Sequence, residues 1–349
     1  MTIDEQKLNA LVGKMITELG AAANGVLLLI GDKLGLFRAL REHGPMTSAS
    51  LARRTDTSER YIREWLCAQA ASGLVEYDPA TGRFSLSPEQ SAVVADEESP
   101  AFMGGGFQSL AAVFANEGRL THAFQTGEGI GWDQHCNCLF CGTERFFRTG
   151  YKTHLVNDWL PALGDVVGKL KRGARVADIG CGHGASTIIM AEAFPESEFI
   201  GVDFHEGSVV EACAKAGKLP NIRFEVGRAQ DYAGADYDLV TMFDALHDMG
   251  DPVGAISHIR KTIASDGTLM IVEPMAADRL EDNLNPVSRS YYAFSTQLCV
   301  PAALKQEGRA ALGAQAGEKR ITETIIKGGF SRVRRAAATP FNMVLEARL

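Results

Sequence analysis

The glycine-rich segment 178–184 places the strongest constraint on how this chain folds. Residues 175–179 form a short apolar strand pattern, glycines follow at Gly180, Gly182 and Gly184, and a helical pattern begins at about residue 186. Glycine at such a turn lets the backbone approach a ligand closely, because a side chain there would collide with it. A strand, a glycine turn and a helix in succession predict one unit of an α/β sheet with a ligand at its edge.

Strand and helix patterns continue to alternate through the rest of the chain. Further strands are predicted at residues 198–202, 222–226, 237–243, 268–273 and 341–347, and helices at 186–193 and 209–216. This alternation predicts a parallel sheet with helices on both faces. Because open sheets of this kind bind ligands beyond the carboxyl ends of their strands, the residues just after each strand are the candidate site.

An acidic residue, Asp203, closes the second strand about 20 residues after the glycine turn, where a carboxylate can accept both ribose hydroxyls of a nucleoside. The third glycine comes one residue earlier than in the dinucleotide-binding pattern G-x-G-x-x-G. The pattern Asp178-x-Gly-x-Gly-x-Gly resembles the first motif of class I methyltransferases, which use S-adenosyl-L-methionine (SAM) and release S-adenosyl-L-homocysteine. The resemblance covers about residues 155–349 and implies an α/β fold with a Rossmann-like methyltransferase sheet.

The same resemblance implies which residues bind the cofactor. Asp203 would hold the ribose, the glycine turn the methionine end, and the residues after the third strand the adenine. The implied cofactor-binding positions are Asp178, Gly180, Gly182, Gly184, Asp203, Phe204, Ala229, Gln230, Phe243 and Asp244.

A histidine with an aspartate beside it, His247 and Asp248, follows the fourth strand. An imidazole that titrates near neutral pH can remove a hydroxyl or thiol proton as methyl transfer begins. Segment 246–251 is similar to the catalytic-histidine segment of the plant caffeate and hydroxyindole type of O-methyltransferases. That resemblance implies that His247 is the general base and that Glu273, after the fifth strand, orients it. The chain departs from the family at Met249, where tryptophan is usual, and shows no second orienting glutamate; a purely structural His247 is the alternative.

The first 100 residues have a helical pattern throughout. Apolar residues from Leu8 to Leu19 form one helical stripe, and a second helix is predicted over residues 21–40, buried on several sides at 26–30. Thr47 and Ser58 are predicted to be the N-caps of two short helices, and Gly73 is predicted to end the second helix. Residues 74–77 and 83–86 are predicted to form a hairpin. These patterns predict a winged helix, and a stripe this apolar predicts an intertwined homodimer.

Charge opposes the DNA-binding function that a winged helix suggests. Residues 47–100 contain five basic and nine acidic side chains, and the whole chain has a formal net charge of -8. A DNA-binding domain would normally show a basic surface. Dimerisation is therefore the expected role, and a SAM-responsive transcriptional regulator is the alternative.

Nearly the whole chain resembles a bacterial group of winged-helix methyltransferases with a mycobacterial member. The resemblance rests on segments 144–151 (ERFFRTGY), 282–286 (DNLNP) and 311–317 (ALGAQAG). We therefore expect a mostly α winged-helix domain at 1–100, a linker that covers the site at 101–154, and a methyltransferase domain at 155–349. Segment 275–318 is long enough to build an acceptor pocket. Candidate acceptor residues, for each of which simple packing is the alternative, are Phe147, Tyr151, Arg145, Arg289, Tyr291 and Tyr292.

Three of the seven cysteines, Cys136, Cys138 and Cys141, lie close together in sequence beside a histidine. They supply enough soft ligands for zinc or a metalloid, but their spacing is unlike that of common zinc sites, so no metal is expected. A metalloid methyltransferase is the alternative. All seven cysteines are expected to be reduced, with the other four (Cys67, Cys181, Cys213 and Cys299) as small core residues.

No apolar run approaches the ~18 to 20 residues that cross a bilayer, and the acidic start lacks the cationic flank of a secretion signal. A cytoplasmic protein without membrane contact is expected. The leading hypothesis is SAM-dependent methyl transfer to an oxygen or sulfur atom of a small-molecule acceptor.

Overall fold

The structure, a computed structural model, describes residues 3–349. The chain divides into two compact units. One runs to Ala111 and includes Cys141–Thr149, and the other comprises Ala112–Phe140 and Gly150–Leu349. Residues of the expected linker, 101–154, therefore belong to both units.

The first unit is mostly helical and carries a small antiparallel hairpin. Its elements are α1 Glu5–Lys33, α2 Leu36–His43, α3 Ser48–Thr55, α4 Glu59–Ala71, β1 Glu76–Asp78, β2 Arg83–Ser85, α5 Pro88–Val94 and most of α6 Gly104–Ala115, whose last turn belongs to the other unit. Thr47 caps α3, since its hydroxyl accepts the Ser50 N–H at 3.2 Å. Gly73 follows α4 at a φ of 72°, a backbone conformation that favours glycine. The helix-turn-helix and the hairpin form as the sequence predicts.

Two expectations about the N-terminal helices are wrong. Residues 5–33 form one continuous helix, because Gly20 lies in open space on α1 and does not interrupt its hydrogen bonds. The segment 26–30 is not buried on several sides: Val26 is 56% exposed, whereas Leu28 is buried. By length and apolar composition α1 is also the one helix of residues 3–349 that could cross a membrane, with 22% of its most apolar window buried.

The second unit is an α/β layer structure around a seven-stranded sheet. Its strands are β3 Arg175–Ile179, β4 Glu198–Asp203, β5 Ile222–Val226, β6 Tyr237–Phe243, β7 Ile263–Pro274, β8 Arg332–Ala338 and β9 Asn342–Arg348. Its helices are α7 Glu117–Thr126, α8 Asn137–Gly150, which begins in this unit, α9 Val166–Arg172, α10 Ala185–Ala193, α11 Glu206–Ala216, α12 Pro252–Thr262, α13 Pro286–Phe294, α14 Val300–Lys305 and α15 Gly317–Lys327. Two π-helical segments, Tyr151–Trp159 and Ser295–Cys299, complete it.

The strand order is β5-β4-β3-β6-β7-β9-β8, and β3 to β7 are parallel. All six predicted strands are present. The sequence did not predict β8, and the sheet is antiparallel at this edge, because β9 pairs antiparallel with both β7 and β8. Apolar residues of the sheet pack with those of α12 and α15 in one buried core, which includes Val240, Ile259, Ile271 and Ile325. This core holds the carboxyl ends of the central strands in place.

Candidate active site

The glycine turn after β3 stands next to the ends of β4 and β6. Gly180, Gly182 and Gly184 have φ values of 77°, 53° and 77°. A Cβ on Gly184 would lie 2.5 Å from the ring of Phe224, so packing requires glycine there. A Cβ on Gly182 would meet no atom within 4 Å. The turn is therefore closely packed against Phe224 at Gly184 and open at Gly182.

Asp203, at the end of β4, is buried against this turn. One carboxylate oxygen accepts the Gly182 N–H at 2.9 Å and the other accepts the His205 N–H at 2.9 Å. Burial raises the pKa of Asp203, and the two backbone donors partly oppose that rise. Each oxygen has lone pairs left for a further donor, so the carboxylate joins the turn to β4 and can still accept hydroxyl groups.

Asp178, one of the predicted cofactor-binding residues, lies near the end of β3. It is fully buried and accepts hydroxyl hydrogen bonds from Ser186 at 2.6 Å, Thr187 at 2.6 Å and Thr241 at 2.9 Å. Burial raises its pKa, and these hydroxyls lower it. These bonds join the start of α10 and the middle of β6 to β3. Asp178 therefore holds in place the strand and the helix that flank the glycine turn.

Four further predicted cofactor residues lie in the same unit. Phe204 is 51% exposed beside Asp203. Gln230 donates to the carbonyl of Asp251 at 3.1 Å, and Ala229 packs partly buried against the sheet core. The ring of Phe243 lies 5.1 Å from that of Tyr151. Phe140, which was not predicted as a site residue, has its ring 4.7 Å from that of His205.

His247 and Glu273 form a buried pair at the ends of β6 and β7. His247 Nδ1 lies 2.5 Å from Glu273 Oε2, and the other Glu273 oxygen accepts the Leu246 N–H at 3.0 Å. His247 Nε2 faces Asp248, whose Oδ1 is 3.0 Å away. Burial lowers the pKa of His247, but the carboxylates of Glu273 and Asp248 outweigh it and hold that pKa well above its usual range. Of the sequence-predicted trio, His247 therefore contacts both Asp248 and Glu273.

Asp244 is held by two residues distant in sequence. It has a φ of 49°, accepts the Tyr151 hydroxyl at 3.0 Å, and accepts the Asn342 amide at 2.9 Å. Burial raises its pKa to about 8, with the nearby Glu273 carboxylate adding to the rise. Asn342 was not predicted from the sequence, because nothing local in the last strand marks its contact 98 residues away.

The predicted acceptor residues separate into two groups. Tyr151 joins Asp244, and Tyr291 is buried on α13 with its hydroxyl donating to the Phe341 carbonyl at 3.0 Å. Tyr292 is half-buried and Arg289 exposed on the same helix. Two further candidates belong to the first compact unit, Arg145 and Phe147.

The guanidinium of Arg145 is already bound by carboxylates of its own unit. It donates to Asp32 at 2.8 Å and to Glu97 at 2.5 Å, and it also reaches the Gln108 amide oxygen. The hydrogen bond that Arg145 donates to Asp32 contributes most to raising the pKa of the guanidinium. The ring of Phe147 packs edge-on to that of Phe146 at 5.2 Å.

The cysteines differ from expectation in two ways. Cys136 and Cys138 are joined by a disulfide, so the expectation that all seven are reduced is wrong for this pair, and their sulfurs are not free to bind a metal or metalloid. Cys141 is a free thiol. Cys67 and Cys213 are exposed rather than core residues, whereas Cys181 and Cys299 are buried as expected.

Comparison with known proteins identifies both parts of the chain. Residues 170–328 match the family model for a methyltransferase domain, and residues 22–96 match the model for an Rv2258c-like winged HTH domain. Trans-aconitate 2-methyltransferase of Deinococcus radiodurans is 30% identical over 125 residues, which cover 36% of this chain and 46% of that protein. The chain thus spans about half the length of the curated relatives it matches.

Solved structures resemble the chain over its full length. Human N-acetylserotonin methyltransferase in complex with SAM superposes with a TM-score of 0.72 at 16% identity, covering 100% of this chain and 99% of that one. An O-methyltransferase family protein from Burkholderia thailandensis gives a TM-score of 0.69 at 15% identity, covering 100% and 98%. The chain therefore joins an N-terminal Rv2258c-like winged helix-turn-helix domain to a methyltransferase domain of the class I fold.

Proposed function

We propose that this protein is a SAM-dependent methyltransferase that methylates a hydroxyl or thiol of a small molecule. The observation that carries the proposal is the buried His247–Glu273 pair at the ends of β6 and β7, of which β6 lies next to β3 and its glycine turn. A pair of this kind can remove a proton from an acceptor, and the turn beside it has the open backbone that a nucleoside-containing cofactor needs.

The residues of the turn fit SAM. Gly182 leaves open space where any other residue would place a side chain, and Asp203 beside it keeps lone pairs for the ribose hydroxyls. SAM bound there would supply a methyl group on a sulfonium sulfur, which is a good leaving group because it would depart as a neutral thioether. Asp178 holds the turn in position through its three hydroxyl contacts rather than by touching the cofactor.

His247 acts on the acceptor's proton. Glu273 occupies Nδ1, so the proton must be received at Nε2, the nitrogen that faces Asp248. Because two carboxylates hold the pKa of His247 above its usual range, the fraction of the imidazole that can act as a base grows as the pH rises. A carboxylate acceptor needs no base, so this arrangement favours a hydroxyl or thiol over the kind of acceptor named in the trans-aconitate relatives.

Calorimetric titration with S-adenosylhomocysteine tests the cofactor site. We expect micromolar binding that Asp203→Ala weakens by at least tenfold. The matched control is Asp266→Ala, which removes a carboxylate that is 74% exposed and paired with Lys169. Unchanged binding by Asp203→Ala would contradict the assignment of the ribose site.

His247→Asn tests the base. It should keep S-adenosylhomocysteine binding, which also shows that the variant is folded, and lower turnover by about 10²- to 10⁴-fold. A panel of phenols, hydroxy acids, thiols and trans-aconitate gives the acceptor class. In the wild-type protein kcat/KM should rise with pH; a profile that falls over the same range would contradict a base role for His247.

We further propose a cytoplasmic homodimer that forms through the first unit. The stripe on α1 is exposed along its length, with Leu11, Met15 and Leu19 between 57% and 72% exposed. Such a surface favours a protein partner. Light scattering that gives a monomer at micromolar concentration would contradict the dimer.

Contacts within α4 support dimerisation over DNA binding. Arg60 pairs with Glu64 and Arg63 with Glu59, so the helix that would enter a DNA groove neutralises its own arginines. A mobility shift on duplex DNA that weakens steeply with salt would instead favour the regulator hypothesis.

A further inference from the structure

The disulfide between Cys136 and Cys138 lies where α8 begins, in a segment that contacts the predicted cofactor site. It joins two cysteines with one residue between them and holds their Cα atoms 5.3 Å apart. Because the stabilisation that a disulfide gives grows with the length of the loop it closes, a bond across one residue contributes less than one that closes a long loop. Its main effect is therefore local, on the backbone at the start of α8.

The segment is anchored before the disulfide and packs over the site after it. On the first side, His135 is buried, and its Nδ1 lies 2.5 Å from the side-chain nitrogen of Asn116. On the other side, Leu139 and Phe140 are buried in an apolar cluster that includes Leu298. The disulfide thus fixes the short connection between an anchored residue and the residues that pack over the site.

Phe140 covers the carboxylate that the sequence predicts to bind the ribose. Asp203 accepts hydrogen bonds from the backbone N–H groups of Gly182 and His205. The ring of Phe140 lies 4.7 Å from that of His205 and 6.4 Å from that of His183, which directly follows the other donor. Asp203 is only 9% exposed, although its oxygens keep lone pairs for further donors. A ligand that reaches this carboxylate must therefore pass a cover to which Phe140 belongs.

The disulfide is open to a dithiol reductant, since Cys136 is exposed and Cys138 is half-buried. A thiolate of the reductant would attack the Cys136 sulfur, break the S–S bond and release Cys138, which takes up a proton. The second thiol of the reductant would then displace Cys136, so that the two cysteines gain two electrons and two protons and the reductant leaves as a disulfide. In a cytoplasmic protein, as proposed above, disulfides are usually redox-sensing or catalytic.

We propose that Cys136 and Cys138 form a redox-responsive latch that holds Phe140 over Asp203. With the disulfide formed, the start of α8 is fixed and the cover is closed. With both thiols reduced, the first turn of α8 moves more freely and Phe140 leaves its place more often. Oxidation should therefore slow the entry and the release of a ligand at Asp203, as closed lids do at other sites. That this ligand is SAM rests on the proposed function, whereas the latch itself does not.

Amide hydrogen exchange on the full-length protein tests the latch without any ligand. Peptide mass spectrometry should show the two cysteines linked after mild oxidation and both alkylated after treatment with dithiothreitol. Reduction should then speed exchange at residues 136–140 and 203–206, while β8, at the far edge of the sheet, should be unchanged. Exchange at residues 203–206 that does not respond to reduction would overturn the proposal, and so would a pair that stays alkylatable after oxidation.

Stopped-flow binding of S-adenosylhomocysteine, followed by tryptophan fluorescence, tests the effect on the site. Trp132 is a suitable reporter, because its ring lies 5.6 Å from that of Phe140. We expect association and dissociation both to be slower by about threefold or more in the oxidised protein than in the reduced protein. A smaller difference, or faster binding and release in the oxidised protein, would contradict the latch.

Matched variants assign the effect to this pair and to Phe140. A Cys136→Ser, Cys138→Ser double variant should show the rates of the reduced protein under both conditions, whereas Cys213→Ser, which changes an exposed thiol, should keep the redox effect. Phe140→Leu keeps an apolar side chain in the cluster but lacks the ring, so it should bind and release the ligand fast in both redox states. A redox effect that persists in the double variant would place the switch at other cysteines and overturn the proposal.

The latch and the methyltransferase function fail separately. If reduction speeds hydrogen exchange at residues 203–206 but S-adenosylhomocysteine binds in neither redox state, the latch stands and the methyltransferase function fails. If S-adenosylhomocysteine binds at the same rates in both redox states, the latch fails and the cofactor site stands.

Discussion

Glu273→Gln is the change that tests the electrostatics of the candidate active site most directly. Glu273 is 1% exposed, and its two oxygens accept from His247 Nδ1 and from the Leu246 N–H. Glutamine has nearly the same size but only one acceptor oxygen, so one of these two donors would face an NH₂ group. The substitution thus removes a charge and one hydrogen bond without leaving a cavity.

The loss of stability should be about 3 kcal/mol near pH 6. Removing one partner of a buried ion pair costs about 3–5 kcal/mol of stability. Substitution by glutamine should cost an amount at the lower end of that range, because glutamine keeps one hydrogen bond. For a unit of 150–250 residues, 1 kcal/mol corresponds to about 2–4 °C in Tm. We therefore expect a decrease of about 6–12 °C.

This decrease should depend on pH. The folded-state pKa of His247 is raised, so its pairing with Glu273 stabilises the fold fully below the unfolded pKa of about 6.5 and progressively less as pH rises through the raised value. The difference in Tm between wild-type protein and Glu273→Gln should therefore be largest at pH 6 and shrink toward pH 10.

Thermal melts in the presence of a chelator, from pH 6 to pH 10, measure this difference. Glu346→Gln is the matched control: Glu346 is a buried carboxylate on the neighbouring strand, and its partners are Arg334 and Arg348. Because arginine stays protonated over this range, the control's Tm difference should be nearly constant. If Glu273→Gln also shows a constant difference, His247 does not carry a proton in the folded protein and the reasoning is wrong.

Two further predictions concern the glycine turn. Asp178→Ala leaves three buried hydroxyls without their acceptor and should lower the free energy of unfolding by about 3 kcal/mol or more, measured by urea denaturation. Gly184→Ala should destabilise strongly because its Cβ would press on Phe224, whereas Gly182→Ala should cost only about 1–2 kcal/mol of backbone strain while abolishing S-adenosylhomocysteine binding. Equal stability of the two alanine variants, or full binding by Gly182→Ala, would contradict these roles.

Local patterns predicted the α/β alternation well, because each strand and each helix has its own spacing of apolar residues. They failed where a contact between distant segments decides the structure. Strand β8 was missed because Arg332, Arg334 and Arg335 give it a polar sequence, and it is held in the sheet by pairing with β9. The break expected near residue 20 does not occur, because a single glycine lowers helix stability by only about 1 kcal/mol.

The candidate site was predicted only in part, for the same reason. His247, Asp248 and Glu273 each follow a strand with a recognisable pattern, and the order of the strands brings them together. Asn342 and Cys299 lie far away in sequence and resemble ordinary strand and core residues. Their contacts with the site follow from the antiparallel return of β9 and from the path of the chain after α13.

The two π-helical segments show how the fold reaches this site. Tyr151 begins one of them and bonds Asp244, and Cys299 ends the other beside His247. π-Helical turns are rare and occur often at functional sites, since the wider turn changes the direction of the side chains that follow. Both segments here bring a side chain to the same group of carboxylates from positions about 150 residues apart in the chain. The geometry of the site thus depends on two local departures from the α-helix, and a change that restores a regular helix in either segment should displace a site residue without touching the glycine turn.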